Sequence, residues 1–162
     1  MRILIALGLA LALTACAPKP APTNAADDAA AKAFMAANAK AAGVVTLPDG
    51  LQYKVVTSGP ATGPHPQITD EVKVNYEGKL VSGKVFDSSF ERGAPAVFPL
   101  SGLVHGWVEA LQLMRPGDEW ILYLPPALGY GDEDKGEIPP NSVLIFRIQL
   151  IGVLQHPQGA MG

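Results

Sequence analysis

The 162-residue sequence holds a single cysteine, Cys16, so no disulfide can form within one chain. Charge is scarce as well: 17% of residues are ionisable acids or bases, and the net charge is −3. That excludes the basic field needed to neutralise a nucleic-acid backbone or to coat an anionic membrane. Only three histidines are present, His65, His105 and His156, and no His, Cys or carboxylate group has metal-ligand spacing. No GxSxG elbow orders a serine into a hydrolase triad either. Neither a metal nor a cofactor is expected. The apolar run at residues 3–13 is too short to remain a membrane-spanning helix. What the chain has in quantity is glycine (17), proline (15) and apolar side chains (48%), the composition of one small loop-rich domain with appendages.

The first fifteen residues read as an export signal, with Arg2 as the positive start, residues 3–13 as the apolar core and Leu13-Thr14-Ala15 as the processing site. Leu13-Thr14-Ala15-Cys16 resembles the bacterial lipobox, in which the signal is cut before the cysteine and the cysteine is acylated. An ordinary signal peptide with an incidental cysteine is the plainer alternative. The expectation is a lipoprotein of the bacterial cell envelope, lipidated at Cys16 and held at the membrane through that anchor. Ala17 stands where an aspartate would signal inner-membrane retention, so the outer membrane, facing the periplasm, is expected.

Residues 16–26 are Pro/Ala-rich without apolar periodicity and read as a tether. Residues 27–42 are an Ala-rich helix candidate, with Asp27 and Asp28 in its first turn and Gly43 as its stop; helix and linker together fill 27–49. Pro48-Asp49-Gly50 then opens a folded domain over 50–154, and 155–162 read as a tail. Inside the domain, Val72, Val74 and Tyr76 alternate with polar residues at strand period, as do Trp120, Leu122 and Leu124, and Leu144, Phe146, Ile148 and Leu150. One segment has helical spacing: Trp107, Ala110, Leu111 and Met114 stand at i, i+3, i+4 and i+7. A sheet with one short amphipathic helix is an α+β arrangement.

Four motifs fall in order along this domain: VKVNYEGKLVSGKVFDSS at 72–89, GWVEALQLM at 106–114, LGYG at 128–131 and IPPNSVLIFRIQLIGV at 138–153. In order, spacing and residue type they resemble the FKBP-type peptidyl-prolyl cis/trans isomerases. The stretch FMAANAKAAGVVTLPDGLQYKVV adds the look of the bacterial macrophage infectivity potentiator group. The resemblance implies a bent antiparallel sheet wrapped around the short helix, with a shallow pocket between them. It also implies that Tyr76, Phe86, Asp87, Trp107, Tyr130 and Phe146 form the catalytic pocket and that Leu103, Val104 and Ile138 bind substrate. Trp107 would be the floor for the proline ring; the Ile138 and Val104 amides and the Tyr130 hydroxyl would meet peptide carbonyls. Partners implied are proline-containing unfolded or partly folded polypeptides, with macrolides as a further ligand class.

The residues also carry plainer readings. Phe98, Leu111, Met114 and Trp120 read as core, and Trp107 taken alone would too. Asp87 could be a turn or capping residue. The loop Asp132 to Glu137 reads either as a solvated turn or as an acidic rim favouring substrates with basic flanks. Ala96 stands where larger relatives carry an aromatic, which would leave one wall of the pocket open. The helix before the domain lacks a/d heptads of large apolar residues, so a monomer is expected. The rival to an isomerase is a non-catalytic peptide-binding chaperone using the same pocket.

Overall fold

The computed structural model describes residues 24–155. The signal segment, Cys16, the first part of the tether and the end of the tail lie outside them. Among the described residues no helix is long and apolar enough to cross a membrane.

Helix α1 spans Asn24–Asn38, with Asp27 in its first turn. It ends four residues before the expected last helical residue, Ala42. Lys40 and Ala41 donate to the Ala37 and Asn38 carbonyls, the i−3 bonds of a tightening last turn, and Gly43 completes the reversal at φ 80°. The chain enters the sheet at once, through strand β1, Val44–Thr46, which pairs antiparallel with β2, Gln52–Thr57. Pro48-Asp49-Gly50 is the turn of that hairpin, so the sheet begins before the expected domain start.

The remaining strands are β3 (Glu71–Leu80), β4 (Val85–Ser88), β5 (Ala96–Pro99), β6 (Glu119–Leu124) and β7 (Leu144–Leu154). All pairings are antiparallel, in the order β1-β2-β6-β7-β3-β4, and β5 lies beside β3 beyond the end of β4. Register places Val74 opposite Leu150, Tyr76 opposite Ile148, Trp120 opposite Ile148 and Leu122 opposite Phe146. The alternating apolar residues therefore all face one side, as strand period requires. Bulges at Ile151 of β7, opposite Lys73/Val74, and at Phe86 of β4, opposite Gly78/Lys79, bend the strands locally.

Two short helices stand between strands: α2, Ser89–Arg92, and α3, His105–Leu113. Helix α3 lies in the concavity, where Trp107, Ala110 and Leu111, followed by Met114, join the sheet residues in one buried core. Gly106 sits so close to the sheet that a Cβ there would lie 2.5 Å from Leu124 Cγ. Helix α1 covers the opposite side of the sheet. Phe34 meets Tyr123, and Gln52 bonds the Met35 carbonyl and Asn38 at 2.8 Å each. The sheet thus separates α1 from α3.

Candidate active site

A cavity of about 630 Å³ opens between α3, the inner face of β3, β4 and β7, and the loops after β5 and β6. It is lined by all nine residues that the sequence nominates: Tyr76, Phe86, Asp87, Leu103, Val104, Trp107, Tyr130, Ile138 and Phe146. Gly102, Phe98 and Lys135 complete it.

Trp107 is 4% exposed, in the first turns of α3. Its indole stands edge-to-face with Tyr76 at 5.2 Å and 84°, with Phe146 at 5.1 Å and 87°, and with Phe98 at 6.3 Å and 78°. Phe86 meets Phe146 in the same manner at 5.6 Å and 88°. Edge-to-face pairs satisfy the ring quadrupoles and add to what burial alone provides. Trp107 Nε1 is the one buried side-chain N or O atom without a hydrogen-bond partner among the described residues.

Phe86 and Phe146 can converge because Gly78 lies beneath them. A Cβ there would be 2.6 Å from Phe146 and 2.7 Å from Phe86. Leu103 and Val104 come from the segment between a 3-10 turn, Leu100–Gly102, and α3. Tyr130 follows a second 3-10 turn, Pro126–Leu128, and Ile138 follows the loop that leads on to β7.

One polar cluster borders this aromatic wall. Tyr76 Oη donates to Asp87 Oδ2 at 2.5 Å, and Arg92 donates to Asp87 Oδ1 through Nη1 and to Tyr76 Oη through Nη2 at 2.8 Å. Burial works to raise the Asp87 pKa, but the bonds from Tyr76 and Arg92, with the Arg92 charge, hold its carboxyl below the usual carboxylate range. Burial and the bond to Asp87 push the Tyr76 phenol up. The guanidinium is raised by the same partners. Asp87 is therefore an anion at neutral pH with both oxygens engaged. It is not a cap: Ser88 fills that role for α2, accepting from the Glu91 amide at 3.3 Å.

Four residues at or beside the pocket differ from the sequence reading. Phe98 is not plain core; it is half-buried and forms a pocket wall against Trp107. Ala96, two residues before Phe98 on β5, packs partly buried against the core and does not line the cavity, so Phe98 forms the wall on that strand. Arg92 escaped notice, although Ser88-x-x-Glu91 is a capping-box pattern that would have predicted the single turn bringing it back over Asp87. From the loop Asp132 to Glu137, the side chain that reaches the pocket is the lysine, Lys135.

The arrangement is suited to hold an apolar ring on Trp107 under fixed aromatic walls. No nucleophile is paired with a base in it. Comparisons with known proteins agree with this geometry. The family model for FKBP-type peptidyl-prolyl cis-trans isomerase matches residues 63–151, and the model for the domain amino-terminal to that isomerase matches 14–55. The chain is 52% identical over 123 residues to peptidyl-prolyl cis-trans isomerase Mip of Coxiella burnetii, covering 75% of this chain and 53% of that protein. It is 48% identical to the outer membrane protein MIP of Legionella longbeachae, covering 75% and 52%. The chain spans about half the length of such curated relatives. Among solved structures, FkpA from Escherichia coli superposes with a TM-score of 0.78 at 41% identity, covering 83% of this chain and 62% of that one. A peptidyl-prolyl cis-trans isomerase from Pseudomonas syringae superposes with a TM-score of 0.76 at 40% identity, covering 85% and 99%. On its motifs, its fold and these matches, the chain belongs to the FKBP-type peptidyl-prolyl cis-trans isomerase family.

Proposed function

We propose that the chain catalyses cis/trans isomerisation of X-Pro bonds in exported polypeptides, without covalent chemistry. The observation that carries this is the aromatic pocket floored by Trp107, whose anion, Asp87, is fixed by Tyr76 and Arg92. Unaided rotation about an X-Pro bond meets a barrier of about 18–20 kcal/mol. The planar amide is polar through resonance and loses that polarity when twisted, so an apolar cavity disfavours the ground state relative to the transition state. Geometric restraint of the twisted peptide adds to this. Lowering the barrier by about 5 kcal/mol would bring a ~100 s process to tens of milliseconds.

In this reading the proline ring packs on Trp107 between Phe86, Phe98 and Phe146. The Ile138 and Val104 amides and the Tyr130 hydroxyl meet peptide carbonyls. Asp87 acts through its charge and hydrogen bonds, not as a proton carrier. Macrolides fit the same aromatic cavity as a further ligand class. Residues 1–15 act as a lipoprotein signal and Cys16 as the lipid anchor, which places the domain in the bacterial cell envelope. The name of one relative, the outer membrane protein MIP of Legionella longbeachae, supports that location. The protein acts as a monomer; sedimentation showing a micromolar or tighter dimer would overturn this part.

The test is a protease-coupled isomerisation assay on short X-Pro peptides, comparing wild type with Asp87→Ala and Trp107→Ala. Activity lost by an order of magnitude or more in both variants supports the reading. An inactive wild type that still binds the peptides would point to the chaperone role instead.

A further inference from the structure

Among the described residues, Asp87 and Lys135 are the charged side chains that line the aromatic pocket. Asp87 is already matched by Arg92 and Tyr76. Lys135 belongs to a loop with four acidic residues, Asp132, Glu133, Asp134 and Glu137. From sequence alone that loop suggests a negative rim, but the structure sorts its charges differently.

Glu137 turns toward Lys84, at 3.4 Å. The Asp134 carboxylate accepts from the Gly136 amide at 2.8 Å. None of the four acids lines the cavity. Lys135 is held over it instead: its backbone N–H donates to the Ile138 carbonyl at 3.1 Å, and its ammonium stands 5.6 Å from the centroid of the Tyr130 ring. Its present partner is Glu133, two residues away at 2.5 Å, and both side chains are well exposed. An exposed pair of this kind holds weakly and exchanges readily.

We propose that Lys135 selects, among proline-containing peptides, those carrying a carboxylate side chain beside the proline, which takes the place of Glu133. The inference rests on the pocket receiving X-Pro peptides as argued above. A substrate carboxylate would meet the ammonium at contact distance, against an aromatic surface that lowers the local dielectric and strengthens the pair. Asp132, Asp134, Glu137 and a displaced Glu133 are all exposed, and solvent and salt weaken their repulsion of the substrate carboxylate. Contact with the one inward cation therefore outweighs the negative sum of the loop.

The experiment compares blocked tetrapeptides bearing Glu, Gln or Lys before the proline, and a second set bearing them after it. For each, kcat/KM for isomerisation and binding by quenching of tryptophan emission are measured on wild type, Lys135→Met and Lys135→Glu. The expected result is a Glu-over-Gln preference of roughly three- to tenfold in one set. It should shrink at high salt, vanish in Lys135→Met and turn toward Lys peptides in Lys135→Glu. No preference in either set, or one that survives in Lys135→Met, overturns the inference. Turnover of the Gln peptides with no charge preference sinks this inference alone. A charge preference in binding with no turnover keeps it and sinks the isomerase reading, and peptides that neither bind nor turn over sink both.

Discussion

Tyr76, in the middle of β3, donates a 2.5 Å hydrogen bond to Asp87 near the end of edge strand β4, and Arg92 closes the triangle from α2. The phenol ring is edge-on to Trp107, while its hydroxyl holds the anion at the rim. One side chain thus joins the apolar floor to the polar border, so charge at the rim and ring position at the floor are mechanically linked.

Arg92→Ala should raise the Asp87 pKa, because both the bond and the positive charge that offset burial are lost. With the carboxyl held low in the wild type, the ionised form persists at pH values where an ordinary aspartate protonates. The acid limb of kcat/KM against pH should therefore move to higher pH in the variant. At pH 7 the loss should be roughly two- to fivefold, since Tyr76 still holds Asp87. Arg92→Lys should restore the charge but not the two-pronged geometry and recover part of it. An unmoved acid limb in Arg92→Ala would remove Asp87 ionisation from the mechanism.

Gly78→Ala should damage the pocket from beneath. The new methyl would press on Phe146 and Phe86 at under 3 Å, and overpacking of this kind costs about 1–3 kcal/mol. Thermal denaturation should show the lower stability, and kcat/KM should fall even in molecules that remain folded. Gly106→Ala tests the same idea from the helix side, where Leu124 would push α3 and the adjoining Trp107 outward.

The framework that holds these residues was legible because strand and helix periods are strong signals. Val72-Val74-Tyr76 and Trp107-Ala110-Leu111 each announced which side they bury. Three things were not. Phe98 reads as core from its apolar neighbours, since nothing in a sequence distinguishes a residue under the core from one at its open edge. Arg92 reaches Asp87 only through the single turn of α2, which is below the length where periodicity speaks. Lys135 was hidden by acidic neighbours, because composition reports the sum of a loop's charges and not their directions.

Asp49 and Glu109 should make stability depend on pH near neutrality. Their side chains share a hydrogen bond; that bond, then burial and the Asp49 charge, push Glu109 up to about 7, while the same bond chiefly holds Asp49 low. An acid raised above its unfolded value binds more protons when folded, so stability falls as pH rises from about 4.5 through 7. The pair is partly exposed and solvent screening keeps the effect within about 1 kcal/mol. Glu109→Gln, which keeps a donor without the second charge, should melt higher than wild type at pH 8 and nearly the same at pH 5. Equal differences at both pH values would show that the two carboxyls do not share a proton.

Gln52→Ala should loosen α1 without disabling the pocket. The Gln52 carboxamide is 3% exposed, donates to the Met35 carbonyl near the end of α1 and accepts from Asn38. Its removal takes the acceptor from the Asn38 amide and the second donor from the Met35 carbonyl, which keeps its bond from the Ala39 amide, at a cost of about 1 kcal/mol. Phe34 against Tyr123 and the buried Ala31 still hold the helix on the sheet. Hydrogen exchange of the α1 amides should accelerate, while those of β3 and β7 should keep their protection. Because the sheet lies between α1 and Trp107, kcat/KM should stay within about twofold. A large loss of activity with β3 and β7 still protected would mean that the sheet transmits strain from α1 to the aromatic floor, and the two sides could no longer be treated as independent.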